Sequence, residues 1–227
     1  MQRVLPSLVS CISSPNKALC HLPIYVVVAF LLLVVGCFRL QAQNNAPLTA
    51  FPTFSGGSVE AIVVQGSTVY VGGSFTQVIN SQINGGNTIA QPNLVAIDAN
   101  TGAVVPNFNL RPNGTVSALI SDGSRIFVGG WFTSVDNGSA NARPSLFSFT
   151  AAGNILDAWT PTTSTNGPFQ TLALLGTDIY VGGGFTNVNG SGRNNSCAFN
   201  TSTGVLTGYN PNVAAPVGAI AANAGIV

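Results

Sequence analysis

The octapeptide VYVGGSFT at residues 69–76 recurs twice further along the chain, as IFVGGWFT at 126–133 and as IYVGGGFT at 179–186. The phenylalanines of the three octets are 57 and 53 residues apart (132 − 75 and 185 − 132). Self-similarity at a near-constant spacing indicates a repeat architecture, in which every unit has the same local structure. The octet therefore decides the fold.

Apolar segments and turn residues alternate around each octet. One apolar run precedes the octet, a third segment follows a polar loop of variable length, and a fourth ends on an aromatic residue. Gly, Asn and Asp stand between the segments and suit hairpin turns, because they tolerate positive φ. Each unit is predicted to be four short antiparallel strands. Three valines are predicted at equivalent positions of the second strand: Val71, Val128 and Val181.

Four strands per unit at this spacing are typical of β-propeller blades. Several strands are apolar at consecutive positions, as expected of strands that are buried on both faces between neighbouring sheets. A parallel β-helix has a much shorter repeat, and a sandwich array has one of about 100 residues. The sequence therefore predicts an all-β fold of stacked, four-stranded antiparallel propeller blades.

The predicted blades fill only part of a ring. Propellers close with about four to eight blades, whereas residues 43–227 hold roughly 3.4 units. We expect the chain to be the N-terminal piece of a longer protein. The alternative is an oligomer that covers the open sheet edges, because bare edges favour aggregation. The predicted parts are a last strand of a blade at 47–55, blades at about 56–113, 114–165 and 166–214, and the start of another blade at 215–227.

An unbroken apolar run, IYVVVAFLLLVVGCF, occupies residues 24–38. It has the length of a long signal-peptide core and is shorter than the roughly 20 residues that a membrane-spanning helix needs. Residues 1–42 are predicted to be a signal peptide cleaved near Ala42. Two alternatives remain: a lipoprotein signal that ends at Gly36 and leaves a lipid anchor on Cys37, and an uncleaved anchor. All three export the chain.

Charge and residue types argue against several functions. Only 6% of the residues are charged and the net charge is +1, which gives no electrostatic reason to bind nucleic acid or anionic lipid. From residue 43 onward there is no His, no Lys and a single Cys, so acid–base chemistry would rest on scattered carboxylates. We predict no catalytic residue, no cofactor and no metal site in this chain.

Trp131 is the candidate ligand contact, because it is the one bulky residue of the octets that does not recur. Ser74 and Gly184 stand in its place in the other two units. The sequence nevertheless favours packing of Trp131 against a neighbouring loop over ligand contact. Arg143 and Arg193 both lie six residues before an aromatic residue, and this recurrence predicts structural bridges between blades.

Two other polar residues are predicted to be structural. Asp98 opens the sequence DANTG, which resembles the start of a calcium loop, but the twelfth position is Asn109 and not the Glu that such a loop needs. A turn is therefore predicted. Cys197 falls where Val95 and Phe147 fall in the other units, which predicts a buried, inert thiol.

The units resemble those of bacterial secreted β-propeller proteins with delta-60-type repeats, and more distantly kelch repeats, which also carry Gly-Gly after the second strand. The resemblance rests on the VGG-x-F-T octet and covers about residues 47–227. It implies a secreted or cell-surface protein, of a group that often ends in a C-terminal sorting domain of the type IX secretion system. We therefore expect an exported, non-catalytic binding or adhesion module, with an extracellular polysaccharide or protein as its ligand.

The alternative function is an N-terminal fragment of a propeller enzyme that acts on extracellular glycans, with its catalytic residues in other blades. A glycosidase needs two carboxyl groups about 5–10 Å apart. Asp122 and Asp178, in or beside the same turn of successive units, come nearest to such a pair. A solvated surface role is predicted for both.

Overall fold

The structure, a computed structural model, describes residues 51–80, 86–136, 140–161 and 163–223. The chain divides into two units, Met1–Pro47 and Leu48–Val227. The predicted signal peptide and Cys37 lie outside the described residues, as does the predicted start of the first strand at 47–50. Within the described ranges the chain forms only strands and turns, and no helix is long and apolar enough to cross a membrane.

The described strands are short, and all of their pairings are antiparallel. In chain order they are β1 (Thr53–Ser55), β2 (Val59–Gln65), β3 (Thr68–Gly73), β4 (Gln77–Asn80), β5 (Asn87–Ile89), β6 (Leu94–Asp98), β7 (Arg111–Pro112), β8 (Thr115–Ser121), β9 (Arg125–Trp131), β10 (Ser134–Asp136), β11 (Ala140–Ala142), β12 (Leu146–Thr150), β13 (Ile155–Leu156), β14 (Phe169–Leu175), β15 (Asp178–Gly183), β16 (Asn187–Val188), β17 (Ser191–Gly192) and β18 (Ser196–Asn200).

Each octet lies at the centre of an antiparallel meander. The three meanders are β2-β3-β6, β8-β9-β12-β13 and β14-β15-β18. In each, the second strand holds the octet valine between equivalent partners: Val71 between Ile62 and Val95, Val128 between Leu119 and Phe147, and Val181 between Leu172 and Cys197. The predicted equivalence of the three valines is confirmed, and the chain is built of propeller blades.

The fourth strand of each blade is shorter than predicted. Only the second blade has one, the two-residue β13. In the first and third blades it is reduced to single bridges, Ile97 to Val104 and Phe199 to Leu206. Of the aromatic residues that end these segments, Phe108 and Trp159 are both at least 94% buried, whereas Tyr209 is partly exposed.

A second, smaller sheet accompanies each blade, and the sequence did not predict it. The strand orders are β1-β4-β5, β7-β10-β11 and β16-β17, the last extended by a bridge from Thr165 to Val188. Two strands of each sheet come from the polar segment after the octet, whereas β1 and β7 precede the first strand of their blades. Each sheet buries one valine completely: Val78, Val135 and Val188. Residues 53–55, predicted as the last strand of a preceding blade, pair with β4.

The second glycine of each octet is required by the backbone of the first strand. A bulge between Val116 and Ala118 places the carbonyl oxygen of Thr115 where a Cβ atom on Gly130 would lie. The other two blades repeat this contact between Gly73 and Ser58 and between Gly183 and Pro168. Because a backbone atom cannot move aside without breaking the sheet, only glycine fits.

The blades bury their faces against one another. One apolar cluster joins the first and second blades around Tyr70, Phe108 and Phe149, and another joins the second and third around Phe127 and Trp159. Polar bonds cross the same boundaries. Tyr70 donates to Asn154 Oδ1 at 2.9 Å, Arg125 Nη1 to the Thr201 carbonyl at 2.8 Å, and Trp159 Nε1 to the Asn200 carbonyl at 3.1 Å.

Candidate functional site

The meander topology separates short turns from long connections. The turns at 66–67, 122–124 and 176–177 join first to second strands at one end of each blade. The described parts of the longer second-to-third connections, 74–80, 86–93, 132–136, 140–145 and 184–195, lie at the opposite end together with the small sheets. Long connections on a rigid scaffold are where binding residues concentrate, so this end is the natural place for a site.

A cleft of about 590 Å³ opens at this end of the second blade. Its volume lies within the range of ligand-binding clefts, about 300–1,000 Å³. We call it the Trp131 cleft, and its described lining residues are Trp131, Phe132, Thr133, Ala142, Pro144, Ser145, Thr160, Pro161, Thr163, Ser164 and Thr165. They come from the end of the octet, from the approach to the third strand, and from the connection to the next blade.

Trp131 is the large apolar side chain that this cleft presents to solvent. It is the last residue of β9, pairs with Thr115, and is 53% exposed. Its counterparts differ: the Ser74 hydroxyl bonds to Ser58 of its own blade, and Gly184 has no side chain. The indole of Trp131 is only half covered by its neighbours, so packing against a neighbouring loop is incomplete.

Hydrogen bonds fix the walls of the Trp131 cleft. Asn113 Oδ1 accepts from the amides of Thr133 and Ser134 at 2.8 and 3.1 Å, and Asn113 Nδ2 donates to Thr133 Oγ1 at 2.8 Å. Elsewhere in the lining, the buried Thr163 hydroxyl donates to the carbonyl of Pro144. The cleft is thus preorganised by hydrogen bonds at Thr133 and at Thr163.

The described lining is largely apolar in area, carries several hydroxyl groups and has no charged residue. None of the described lining residues is ionisable, and six of them carry a hydroxyl group. Those of Thr160 and Ser164 bond to no other described residue and can serve a ligand. Across the part of the chain that the structure describes, no group of three or more His, Cys, Asp or Glu could hold a metal ion. The described lining thus combines a half-exposed indole with neutral hydroxyl groups.

A smaller cleft of about 390 Å³ lies in the first blade beside Phe108. Two of its polar side chains are engaged with each other, because Arg111 Nε donates to Gln91 Oε1 at 3.2 Å, and Gln91 Nε2 donates to two backbone carbonyls. It presents no exposed aromatic side chain, so the Trp131 cleft is the stronger candidate.

Arg143 and Arg193 are structural, but they do not bridge blades as predicted. Each donates to the carbonyl of the preceding residue and to a carbonyl fourteen residues later in its own blade, Asp157 and Thr207 respectively. Each arginine therefore links the residues just before the third strand of its blade to the segment that follows that strand. The arginine that does cross to the next blade is Arg125, which the sequence did not single out.

The Asp98 turn is confirmed. Asp98 Oδ1 accepts hydrogen bonds from the amides of Asn100 and Thr101, and the bonds from Thr101 and Asn100 lower the pKa of this carboxyl. In the third blade, Asn200 Oδ1 accepts from the amides of Ser202 and Thr203 in the same way. Because the neutral amide of Asn200 accepts the equivalent hydrogen bonds, this turn does not need the negative charge of Asp98.

Asp122 and Asp178 do not occupy equivalent positions. Asp178 is the first residue of β15 and pairs with Asn200, which makes it the counterpart of Arg125. Asp122 forms an ion pair with Arg125 at 2.9 Å. Burial acts to raise the pKa of Asp122, but hydrogen bonds from the Arg125 and Ser124 amides and the Arg125 guanidinium hold it below its usual value. Its role is thus to hold the turn.

Cys197 is a buried thiol, as predicted. It has no exposed surface and pairs with Val181 at the position of Val95 and Phe147. Burial raises its pKa to about 12, against an opposing effect of the Arg193 charge. A thiol that stays protonated to this pH is a poor nucleophile.

Comparison with known proteins gives structural likenesses but no sequence match. No protein-family model matches the chain, and no curated protein sequence matches it. Among solved structures, the WD40 domain of Neurospora crassa Pan2 is similar, with a TM-score of 0.34 and 12% identity over 68% of this chain. The chain spans 54%, about half, of the length of that domain.

Proposed function

We propose that this chain is part of an exported, non-catalytic β-propeller that binds an extracellular ligand at the cell surface or after secretion. The apolar run at 24–38 and the resemblance to delta-60-type secreted propellers support export and a bacterial source. The Trp131 cleft is the proposed ligand site, and a polysaccharide or an extracellular protein is the proposed class of ligand.

One observation carries this proposal. The octets are nearly identical, yet one of them replaces a small residue with Trp131, which remains 53% exposed over a preorganised cleft. An indole that is left half in water forgoes part of its burial energy, and exposed aromatic side chains are enriched at binding surfaces.

The lack of ionisable groups in the cleft supports a binding role over a catalytic one. Acid–base catalysis requires a group whose pKa can lie near the working pH, and the described lining offers none. Asp122 is held in its ion pair at the far end of the blade, so it supports no catalytic role in this cleft.

The test is to titrate the purified chain with soluble polysaccharides and with gelatin as a protein probe, and to assay the same mixtures for new reducing ends. Trp131→Ala should abolish binding. The matched control is Ile155→Ala, which removes another exposed apolar side chain (64% exposed) about 20 Å along the sheet. Binding that survives in Trp131→Ala would overturn the site. Reducing ends that disappear in Asp122→Asn or Asp178→Asn would establish an enzyme instead.

A further inference from the structure

We infer that the Trp131 cleft recognises a neutral saccharide, with the flat face of a sugar ring stacked on the indole of Trp131. This inference rests on the proposed function and names the ligand of the same site. It depends on three properties of the cleft: the exposed indole, the hydroxyl-rich walls and the lack of charge.

The indole offers a face of the right polarity. An aromatic ring carries partial negative charge on its faces and partial positive charge at its edge. The C–H groups on one face of a pyranose ring carry partial positive charge and form an apolar patch of similar size. Trp131 stands at the end of β9 with 53% of its surface open, so a ring can reach the indole without displacing another side chain.

The walls offer neutral hydrogen-bonding groups at the edge of such a ring. Thr160 and Ser164 have hydroxyl groups that bond to no other described residue, and both residues are exposed. A hydroxyl both donates and accepts, which matches the hydroxyl groups of a sugar. Thr163 and Thr165, by contrast, bond to the carbonyls of Pro144 and Gly167 and hold the wall in place.

The lack of charge selects against acidic saccharides and charged peptides. A charged ligand group that leaves water needs an opposite charge or several strong hydrogen bonds in the site. No described lining residue is ionisable, so the cleft cannot supply the opposite charge. A neutral polyhydroxylated ligand meets no such cost.

The chain carries a direct reporter of this stacking. It has two tryptophans, of which Trp131 is half exposed, whereas Trp159 is 6% exposed and bonded through its Nε1 to Asn200. Acrylamide should therefore quench mainly Trp131 in the free protein. A stacked sugar ring should shield it, while the fluorescence of Trp159 stays unchanged.

The experiment titrates the chain with cellohexaose, laminarihexaose and mannohexaose, with a galacturonic acid hexamer as the charged saccharide and a gelatin hydrolysate as the peptide probe. We expect at least one neutral hexasaccharide to bind and to protect Trp131 from acrylamide. Trp131→Phe should weaken binding on the order of tenfold or less, and Trp131→Ala by more than tenfold, because the aromatic face is reduced and then lost. Ile155→Ala should bind as the unaltered chain does.

The outcomes separate this inference from the proposed function. If the gelatin hydrolysate binds through Trp131 and no neutral hexasaccharide does, the saccharide inference is wrong and the binding function stands. Equal affinity for the galacturonic acid hexamer also overturns it, because charge would then not matter. If no probe binds in a Trp131-dependent way, both the inference and the proposed site fail.

Discussion

The side chain of Leu172 in the third blade lies directly over the bare Cα of Gly129 in the second. A Cβ atom on Gly129 would be 3.2 Å from Cδ1 of Leu172. The same contact recurs one blade earlier, where Val116 and Leu119 lie over Gly72. The first glycine of the octet thus leaves room for a side chain of the neighbouring blade, whereas the second is required by the backbone of its own blade.

The second octet glycine should tolerate no side chain. We expect Gly130→Ala to lower the free energy of unfolding by about 1–3 kcal/mol or more, because its Cβ would meet the Thr115 carbonyl and the Phe132 ring. The control is Gly208→Ala, which has open space around it and should change stability by less than about 0.5 kcal/mol. Urea unfolding of the two variants checks this. Similar losses would mean that the bulge does not constrain Gly130.

Leu172 and Ile62 occupy the same place in the third and first blades but should differ in their contribution to stability. Each pairs with the octet valine, yet Leu172 is 8% exposed and Ile62 is 61% exposed. Leu172→Ala should cost about 2–5 kcal/mol, and Ile62→Ala less than about 0.5 kcal/mol. Urea midpoints measured at two protein concentrations test this. An equal cost for Ile62→Ala would show that something covers that face of the first blade.

The Asn113 clamp should support both stability and ligand binding. Asn113→Ala removes three hydrogen bonds to Thr133 and Ser134 and should lower the free energy of unfolding by about 1–2 kcal/mol. It should also weaken binding at the cleft, because Thr133 lines it. Asn113→Asp keeps the oxygen that accepts from both amides and loses only the donor to Thr133. Its free energy of unfolding should therefore lie between those of the unaltered chain and of the Asn113→Ala variant. An Asp variant as unstable as the Ala variant would argue against the clamp.

Cys197 should make the chain less stable at alkaline pH. Burial raises its pKa from 9.0 to about 12. Between these values the unfolded chain has lost the thiol proton while the folded chain keeps it. Stability is therefore complete below about pH 9 and falls with rising pH, by at most about 1.4 kcal/mol per unit from this group.

The matched variant is Cys197→Val, since Val95 holds the same position in the first blade. Urea midpoints at pH 8, 9 and 10 should fall more steeply for the unaltered chain than for this variant. Burial also raises the pKa of Tyr70 above 10, so a shared decline above pH 10 is expected in both proteins. Identical slopes between pH 9 and 10 would contradict the role of the thiol.

The sequence by itself determined the blade. The octet, its spacing and the turn residues were enough to place the second strand, to align Val71, Val128 and Val181, and to identify Cys197 as a core residue. They were enough because each of these features depends on nearby residues. Three units of similar sequence adopt the same local structure, so each unit supports the interpretation of the other two. The choice of Trp131 likewise came from comparing repeats, since a departure from the repeat is visible without coordinates.

Tertiary structure decided what depends on contacts between distant segments. The small sheets were not predictable, because strands of two to four polar residues carry no periodic signal. Arg125 donates to the carbonyl of Thr201 in the next blade, whereas Arg143 bonds within its own blade. The sequence could not distinguish the two arginines, because their partners depend on which backbone carbonyls the folded chain brings near them. The Trp131 cleft forms where residues 160, 161 and 163–165 meet the end of the octet. No single segment encodes that meeting, so the half-exposed position of the Trp131 indole beside these residues depends on the tertiary structure.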